Sequence, residues 1–256
     1  MVLILTVHAH DIAVAGSRED VDKLLVVLNE DFTTNDLGEL SFFTGCLFSE
    51  DLEKGRLSIT QTAFIETLAR HFDVTSTSLY PVSPDANLEE RMEGESCGTW
   101  PYREAVGGPM WLVVMARPDI GNAVHAVARQ SHDPKARRWN AVVEIIQYLL
   151  GTKGLGLTFE RGSGLEMAMA VFADANYADK AGDRRYVSGV AVTLAKSVVS
   201  WSTSTQGVTA LSTAQAEHIA TGDGVKEGLL GGQRCLSSFS PFQRNASKCL
   251  QTTTGL

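Results

Sequence analysis

The stretch that decides the fold is YVSGVAVTLAKSVVSWST at residues 186–203, followed by TAQAEHIATGDGVKE at residues 213–227. Short apolar runs with turn residues around them predict strands over 186–195 and 197–203, and a further strand over 166–174. Ser212 and Gln215 have the spacing of a capping box, which predicts a helix from Thr213 to about Glu227. This part of the sequence therefore indicates three strands and a closing helix.

Upstream of this stretch the pattern is helical. Asp133-Pro134 is a cap followed by a first-turn proline, and an apolar stripe that includes Trp139 and Ile146 runs on to Gly151, which predicts a helix. Further upstream, residues 1–100 predict a hairpin turning around residues 8–11, a helix capped by Ser17, and a second hairpin over 40–48 and 56–60. Prolines and glutamates between residues 81 and 101 predict a linker, which is the best domain boundary.

The charge is divided unevenly along the chain. The 256 residues carry a formal charge of −8, with 18 acidic and 6 basic residues in 1–100 against 12 and 16 in the remainder. We expect two structural units, and the acidic total argues against a surface coated in positive charge for nucleic acid.

The spacing of the cysteines and the hydropathy of the sequence indicate the cellular compartment of the protein. The four cysteines lie far apart with no C-x-x-C pair, so we expect neither a disulfide framework nor a zinc knuckle, as in a reducing compartment. His8, His10 and Asp11 interrupt the apolar start, which argues against a signal peptide, and no run reaches the ~20 apolar residues of a membrane helix. The sequence predicts an intracellular protein of the cytoplasm or nucleus, with no membrane partner.

The order of these elements, and several phrases within them, resemble the Pol polyprotein of copia-type LTR retrotransposons. The phrases are DIAVAGS at 11–17, NDLGELSFFTGC at 35–46, YREAVGGPMWLVVMARPDIGNAV at 102–124, LLGTKGLGLTF at 149–159, FADANYAD at 172–179, RRYVSGVAVTL at 184–194 and VSWSTSTQGVTALSTAQAEHIA at 199–220. The resemblance extends from residue 5 to about residue 230.

The resemblance implies an α/β (α+β) fold in four parts. Residues 1–100 would be the C-terminal remnant of a reverse transcriptase, with late palm and thumb, and residues 101–160 a helical connection. Residues 161–230 would form a truncated RNase H-like domain, an incomplete mixed sheet with a helix. Residues 231–256 are expected to be an irregular tail, because they contain no acidic residue and show no period.

The resemblance implies two ancestral reactions, RNA-directed DNA synthesis and RNase H hydrolysis. Both use two magnesium ions held by clustered carboxylates. In the polymerase part, the family's Tyr-Val-Asp-Asp hairpin tip corresponds to residues 8–11, where only Asp11 matches and His10 replaces the first aspartate. The fingers and early palm, with a further metal-binding aspartate, would lie before residue 1. We therefore expect no primer extension. A different interpretation of His8 and His10 is a transition-metal site of a hydrolase, since strand alternation would point both imidazoles to one face.

In the RNase H-like part, the resemblance places catalytic, magnesium-binding carboxylates at Asp174 and Glu217. The third carboxylate, expected on a strand after the helix, is missing because nothing after Glu227 is acidic. Candidate substitutes are Asp179, Asp183 and Asp223, although Asp183 matches a non-catalytic position. Asp223 lies six residues past Glu217, about 600° further round a helix, so it should face another way. We expect little or no nuclease activity.

Besides the hydrolase interpretation of His8 and His10, three hypotheses remain. The first is a catalytically inactive fragment of a retrotransposon polyprotein, whose family partner is an RNA–DNA hybrid. The second is a non-enzymatic nucleic-acid or protein interaction module, with phosphate contacts from Lys135, Arg137, Arg138, Arg184 and Arg185. The alternative interpretation of these basic residues is a solvated helix start and a turn. The third is an open reading frame whose product is not stable. Trp111, Trp139 and Trp201 are interpreted as core residues.

Overall fold

The structure, a computed structural model, describes residues 3–83, 86, 88, 98–129, 131–132, 134–160, 168–176, 186–238 and 246–253. These residues form six α-helices and three antiparallel sheets. The α+β class expected from the sequence is confirmed. Among the described residues, no helix is both long enough and apolar enough to span a membrane.

The elements alternate irregularly along the chain. The strands are β1 Leu3–His8, β2 Asp11–Gly16, β3 Thr33–Glu39, β4 Phe42–Phe43, β5 Cys46–Asp51, β6 Arg56–Thr60, β7 Gly156–Glu160, β8 Met169–Asn176, β9 Val187–Leu194, β10 Ser197–Thr205 and β11 Ala246–Thr253. The helices are α1 Arg18–Asp31, α2 Thr62–His71, α3 Tyr102–Met115, α4 Gly121–Ala128, α5 Ala136–Gly151 and α6 Thr213–Ser238. A 3-10 turn, Pro118–Ile120, joins α3 to α4.

The first sheet has the strand order β1-β2-β11-β3. β1 and β2 form the expected hairpin, with His8 paired to Asp11 across the turn. Ser17 caps α1 by accepting a hydrogen bond from the backbone N–H of Asp20 at 3.2 Å. Val21 of α1 is fully buried against Val14 of β2, so a small apolar core joins this helix to the hairpin.

The second sheet has the order β4-β5-β6-β7 and joins distant parts of the sequence. β6 pairs with β7 over five residues, with Thr60 opposite Gly156. A Cβ at Gly156 would overlap the carbonyl oxygen of Ile59, so the two backbones approach closely enough to require glycine. β7 lies in residues 101–160, which the sequence assigned to the helical connection. It thus pairs with a strand from residues 1–100, which were assigned to the reverse transcriptase.

The largest core lies among helices α2 to α5. Its fully buried members include Ile65 of α2, Leu112 of α3, and Ile145 and Ile146 of α5. The apolar stripe predicted for α5 faces this core. The linker expected before residue 101 lies largely outside the described residues.

The third sheet has the order β10-β9-β8, and α6 packs on one of its faces. Gly224 lies where a Cβ would come within 3.1 Å of Val171 and of Ala173. At Gly228 a Cβ would come within 2.7 Å of Val171. These glycines let α6 lie close to β8, so they are packing positions inside the helix and not its end.

The C-terminal region differs from the expectation of an irregular tail. α6 continues to Ser238, beyond the predicted end near Glu227. β11 then inserts between β2 and β3, antiparallel to both. Gly228, directly after the predicted end, lies inside the helix and packs on β8.

Candidate functional site

The hairpin that carries Asp11 has a two-residue turn. Residues 9 and 10 form this turn, and Ala9 has φ of +52°, the left-handed conformation typical of such hairpins. Asp11 is half-buried at the start of β2, while His8 and His10 are exposed.

This geometry corrects the argument for a metal site at His8 and His10. That argument relied on strand alternation across residues 8–10, but β1 ends at His8 and His10 belongs to the turn. Period-2 alternation therefore does not apply to the pair. Both imidazoles are exposed, but the geometric argument that they share a metal ion no longer holds.

Asp174 lies on β8, exposed, and on the sheet face opposite α6. Val171 and Ala173 contact α6 at Gly224, and Ala175 packs against a small core of Tyr186, Ala210 and Ala216. Because side chains alternate along a strand, the carboxylate of Asp174 points to the other face.

Glu217 lies in the first turns of α6 and is exposed. Its neighbours Ala216 and Ala220 are fully buried and form the stripe that faces the sheet. Glu217 is therefore on the same side of the sheet as α6, while Asp174 is on the other side. Strand alternation therefore assigns the two carboxylates to different faces of the third sheet, of which β8 is an edge strand.

The donor set does not fit the magnesium pair that the resemblance implies. Within the described ranges, no group of three or more His, Cys, Asp or Glu side chains could hold a metal ion. Of the candidate substitutes, Asp179 and Asp183 lie outside the described residues. Asp223 is half-buried on α6, where it accepts a hydrogen bond from Lys226 Nζ at 3.3 Å. Among the described residues, the positions available do not make up the donor set that two magnesium ions need.

Two residues that connect α6 to the third sheet were not identified from the sequence. Gln206 is 2% exposed, and its side-chain Nε2 donates to Ser188 Oγ at 3.1 Å and to the carbonyl of Ala216 at 2.9 Å. It therefore ties the first turn of α6 to β9. Glu227 accepts a hydrogen bond from Ser200 Oγ. A single glutamine in a loop gives no periodic signal, and the Ser200 contact depends on a β-bulge between Val198 and Ser200.

The basic residues proposed for phosphate contact do not form one exposed patch. Arg138 is 5% exposed, and its Nε donates to the carbonyl of Leu88 at 3.2 Å. This differs from the solvated helix start expected from the sequence. Lys135 and Arg137 are half-buried. Arg184 and Arg185 lie outside the described residues.

A cavity of about 470 Å³ lies between α3, α4 and β10. Its lining is largely apolar and includes Met110, Val114 and Val124. His125 borders it, with Nε2 at 3.2 Å from Thr205 Oγ1. Burial, with a smaller effect from the Arg129 charge, lowers the pKa of His125 from its usual 6.5, so the neutral imidazole is favoured.

Comparison with known proteins gives three informative relatives. The chain is 29% identical to the retrovirus-related Pol polyprotein from transposon TNT 1-94 of Nicotiana tabacum over 236 residues, covering 88% of this chain and 17% of the relative. It is 26% identical to the retrovirus-related Pol polyprotein from transposon RE2 of Arabidopsis thaliana over 220 residues, covering 85% and 15%. It is 33% identical over 127 residues to the secreted RxLR effector protein 161 of Plasmopara viticola, covering 50% and 88%.

The chain spans about a sixth of the length of the two transposon polyproteins. No family model and no solved structure matches it. The two polyprotein matches each extend over most of this chain, which agrees with the span of the quoted phrases.

Proposed function

The chain belongs to the retrovirus-related Pol polyproteins of transposons, and on this premise we propose that it is a copia-type Pol segment without polymerase or nuclease turnover. Its first part corresponds to the end of a reverse transcriptase and its last part to an RNase H-like unit. The observation that supports the proposal is the contact of α6 with Val171 and Ala173, from which strand alternation assigns Asp174 to the face opposite the helix that carries Glu217.

The chemistry of both ancestral reactions supports this interpretation. Two-metal catalysis needs carboxylates within coordinating reach of ions about 4 Å apart. Carboxylates assigned to opposite faces of the sheet are not held around one ion in advance, so we expect neither water activation nor leaving-group stabilisation. In the polymerase hairpin, His10 replaces the first aspartate, and nitrogen is a poor ligand for magnesium.

The test is a pair of assays on the whole chain. A 5′-labelled RNA–DNA hybrid incubated with Mg²⁺ or Mn²⁺ should remain uncleaved relative to a buffer control. A primed RNA template should show no primer extension. Cleavage that disappears in Asp174→Asn would contradict the nuclease part of the proposal, and nucleotide incorporation that disappears in Asp11→Asn would contradict the polymerase part.

A further inference from the structure

The cavity between α3, α4 and β10 has an apolar wall and an apolar rim. Val113 of α3 and Val124 of α4 form part of the wall. Met110 and Val114 also line the cavity, one turn apart on α3, and they are 49% and 67% exposed, so they lie at its rim. A molecule that enters the cavity would therefore remove apolar side chains from water, which favours binding.

The wall formed by β10 is held in place by a hydrogen bond. Trp201 lines the cavity, and its Nε1 donates to the carbonyl of Val113 at 2.7 Å, which fixes the indole between the third sheet and α3. Ser200 instead bonds Glu227 of α6, on the other face of the sheet. The cavity thus exists before any ligand binds, as is usual for small-molecule sites.

Two polar side chains face this apolar space. Thr203, two residues after Trp201 on the same strand face, is half-buried, and its hydroxyl has no hydrogen-bond partner in the described part of the chain. The hydroxyl lies beside Gly121, since a Cβ built there would come within 2.9 Å of Thr203 Oγ1. His125 follows one helical turn later, with Nε2 at 3.2 Å from Thr205 Oγ1. The cavity therefore offers one hydroxyl that can still donate or accept.

Volume and charge restrict what the cavity can hold. Its volume of about 470 Å³ is about three times the ~150 Å³ of an engineered apolar cavity that binds benzene, so it has room for two fused rings. Among the described residues that line it there is no Asp, Glu, Lys or Arg. A charged ligand would lose its hydration without gaining an ionic partner, which makes its binding costly.

We propose that this cavity binds an uncharged, rigid molecule of two fused rings with one hydroxyl or carbonyl group. The rings pack between Trp201 and the α3 rim, and the polar group forms a hydrogen bond with Thr203. A rigid ring system loses less conformational freedom on binding than a flexible chain of equal volume. The inference goes beyond the proposed function, because it involves neither the carboxylates nor a metal.

Ligand-observed NMR titrations on the whole chain at neutral pH test the site with three matched probes. The probes are 2-naphthol, naphthalene, which lacks the hydroxyl, and 2-naphthoate, which is ionised. 2-Naphthol should bind about twofold to tenfold more tightly than naphthalene, as one neutral hydrogen bond provides. 2-Naphthoate should bind at least about tenfold more weakly than 2-naphthol, because its charge has no partner.

Two substitutions and one control assign the location. Ala128→Phe places a ring in the cavity and should weaken binding of 2-naphthol at least about tenfold. Ala126→Phe is the control, because Ala126 is also half-buried on α4 but does not line the cavity, and it should leave binding unchanged. Thr203→Val keeps the shape of the side chain, so it should remove the preference for 2-naphthol over naphthalene without reducing binding of naphthalene.

Thermal unfolding and sedimentation accompany each titration. Thr203→Val removes a hydroxyl without a partner, so it should unfold at the same temperature as the unaltered chain and keeps the test usable if either phenylalanine variant misfolds. The proposal is overturned if 2-naphthol does not bind, if folded Thr203→Val retains the preference for it, or if 2-naphthoate binds equally well. A dimer of the unaltered chain that Ala128→Phe dissociates would assign the cavity to a second copy of the chain, and would also overturn it.

Discussion

The guanidinium of Arg117 forms a two-pronged ion pair with the carboxylate of Asp119, two residues later. Arg117 Nε lies 2.8 Å from Asp119 Oδ1, and Nη2 lies 2.7 Å from Oδ2. The Arg117 side chain is 1% exposed and also donates to the carbonyl and hydroxyl of Thr152, at 3.2 and 2.7 Å. This network fastens the turn between α3 and α4 to the end of α5.

Replacement of Arg117 should destabilise the helical core. Arg117→Ala would leave the Asp119 carboxylate and the Thr152 carbonyl without their donor, at a cost of about 2–4 kcal/mol in the free energy of unfolding. Arg103→Ala, at an exposed position on α3, should cost less than about 0.5 kcal/mol. Urea denaturation followed by circular dichroism measures both. Equal midpoints for the two variants would show that the Arg117 network does not stabilise the fold.

The pairing of β6 with β7 predicts a sharp difference between two glycines. Gly156→Ala should lower the free energy of unfolding by about 1–3 kcal/mol or more, because the added methyl group overlaps the carbonyl oxygen of Ile59. Gly154→Ala lies two residues earlier with nothing near its Cβ, and should change stability by less than about 0.5 kcal/mol. Thermal unfolding compares them. A tolerated alanine at position 156 would mean that β7 does not pair with β6 in this register.

Elements with a strong local pattern were predictable from the sequence. Examples are the capping serine at residue 17, the apolar stripe of α5 and the alternation in β9. Each can be recognised from residues only a few positions apart in the sequence. β3 was missed because its sequence, TTNDLGE, is polar and has no alternation; hydrogen bonds to β11, more than 200 residues away, define it. The register of β6 against β7 is likewise set by distant backbone contacts.

The secondary structure around the candidate carboxylates was predictable from the sequence, but their arrangement was not. Asp174 and Glu217 could be selected from the flanking phrases, and their secondary structure followed from local pattern. The face to which Asp174 points depends on how α6 packs through Ala216, Ala220, Gly224 and Gly228; their spacing of four marks one face of the helix but does not say which sheet face it covers. Arg138 shows the same limit, because its basic side chain matched a solvated helix start but is buried against Leu88.

The buried imidazole of His125 makes stability depend on pH. Its pKa is lower in the folded chain than the usual 6.5, so the unfolded chain binds more protons below neutral pH. This contribution to stability is complete above about pH 7 and is lost as the pH falls through the folded-state pKa.

Urea midpoints of the unaltered chain and of His125→Gln should converge as the pH is lowered from 7 to about 5. His132→Gln, at an exposed histidine, serves as the control. A difference between the unaltered chain and His125→Gln that stays constant with pH would contradict this assignment.

Zinc should not bind tightly at the first hairpin. The turn at residues 9 and 10 removes the alternation that would have aligned His8 with His10, so two exposed imidazoles remain without a preformed geometry. Calorimetric titration with Zn²⁺ should give the same isotherm for the unaltered chain and for the double variant His8→Ala, His10→Ala. A stoichiometric site present only in the unaltered chain would revive the hydrolase hypothesis.

The central claim is that Asp174 and Glu217 lie on opposite sides of the third sheet and share no metal ion. Titration of Mn²⁺, followed by the loss of the free-ion electron paramagnetic resonance signal, tests it directly. The unaltered chain, Asp174→Asn and Glu217→Gln should give superimposable binding curves. One Mn²⁺ site in the unaltered chain that disappears in both single variants would mean that the two carboxylates meet, and would contradict the claim.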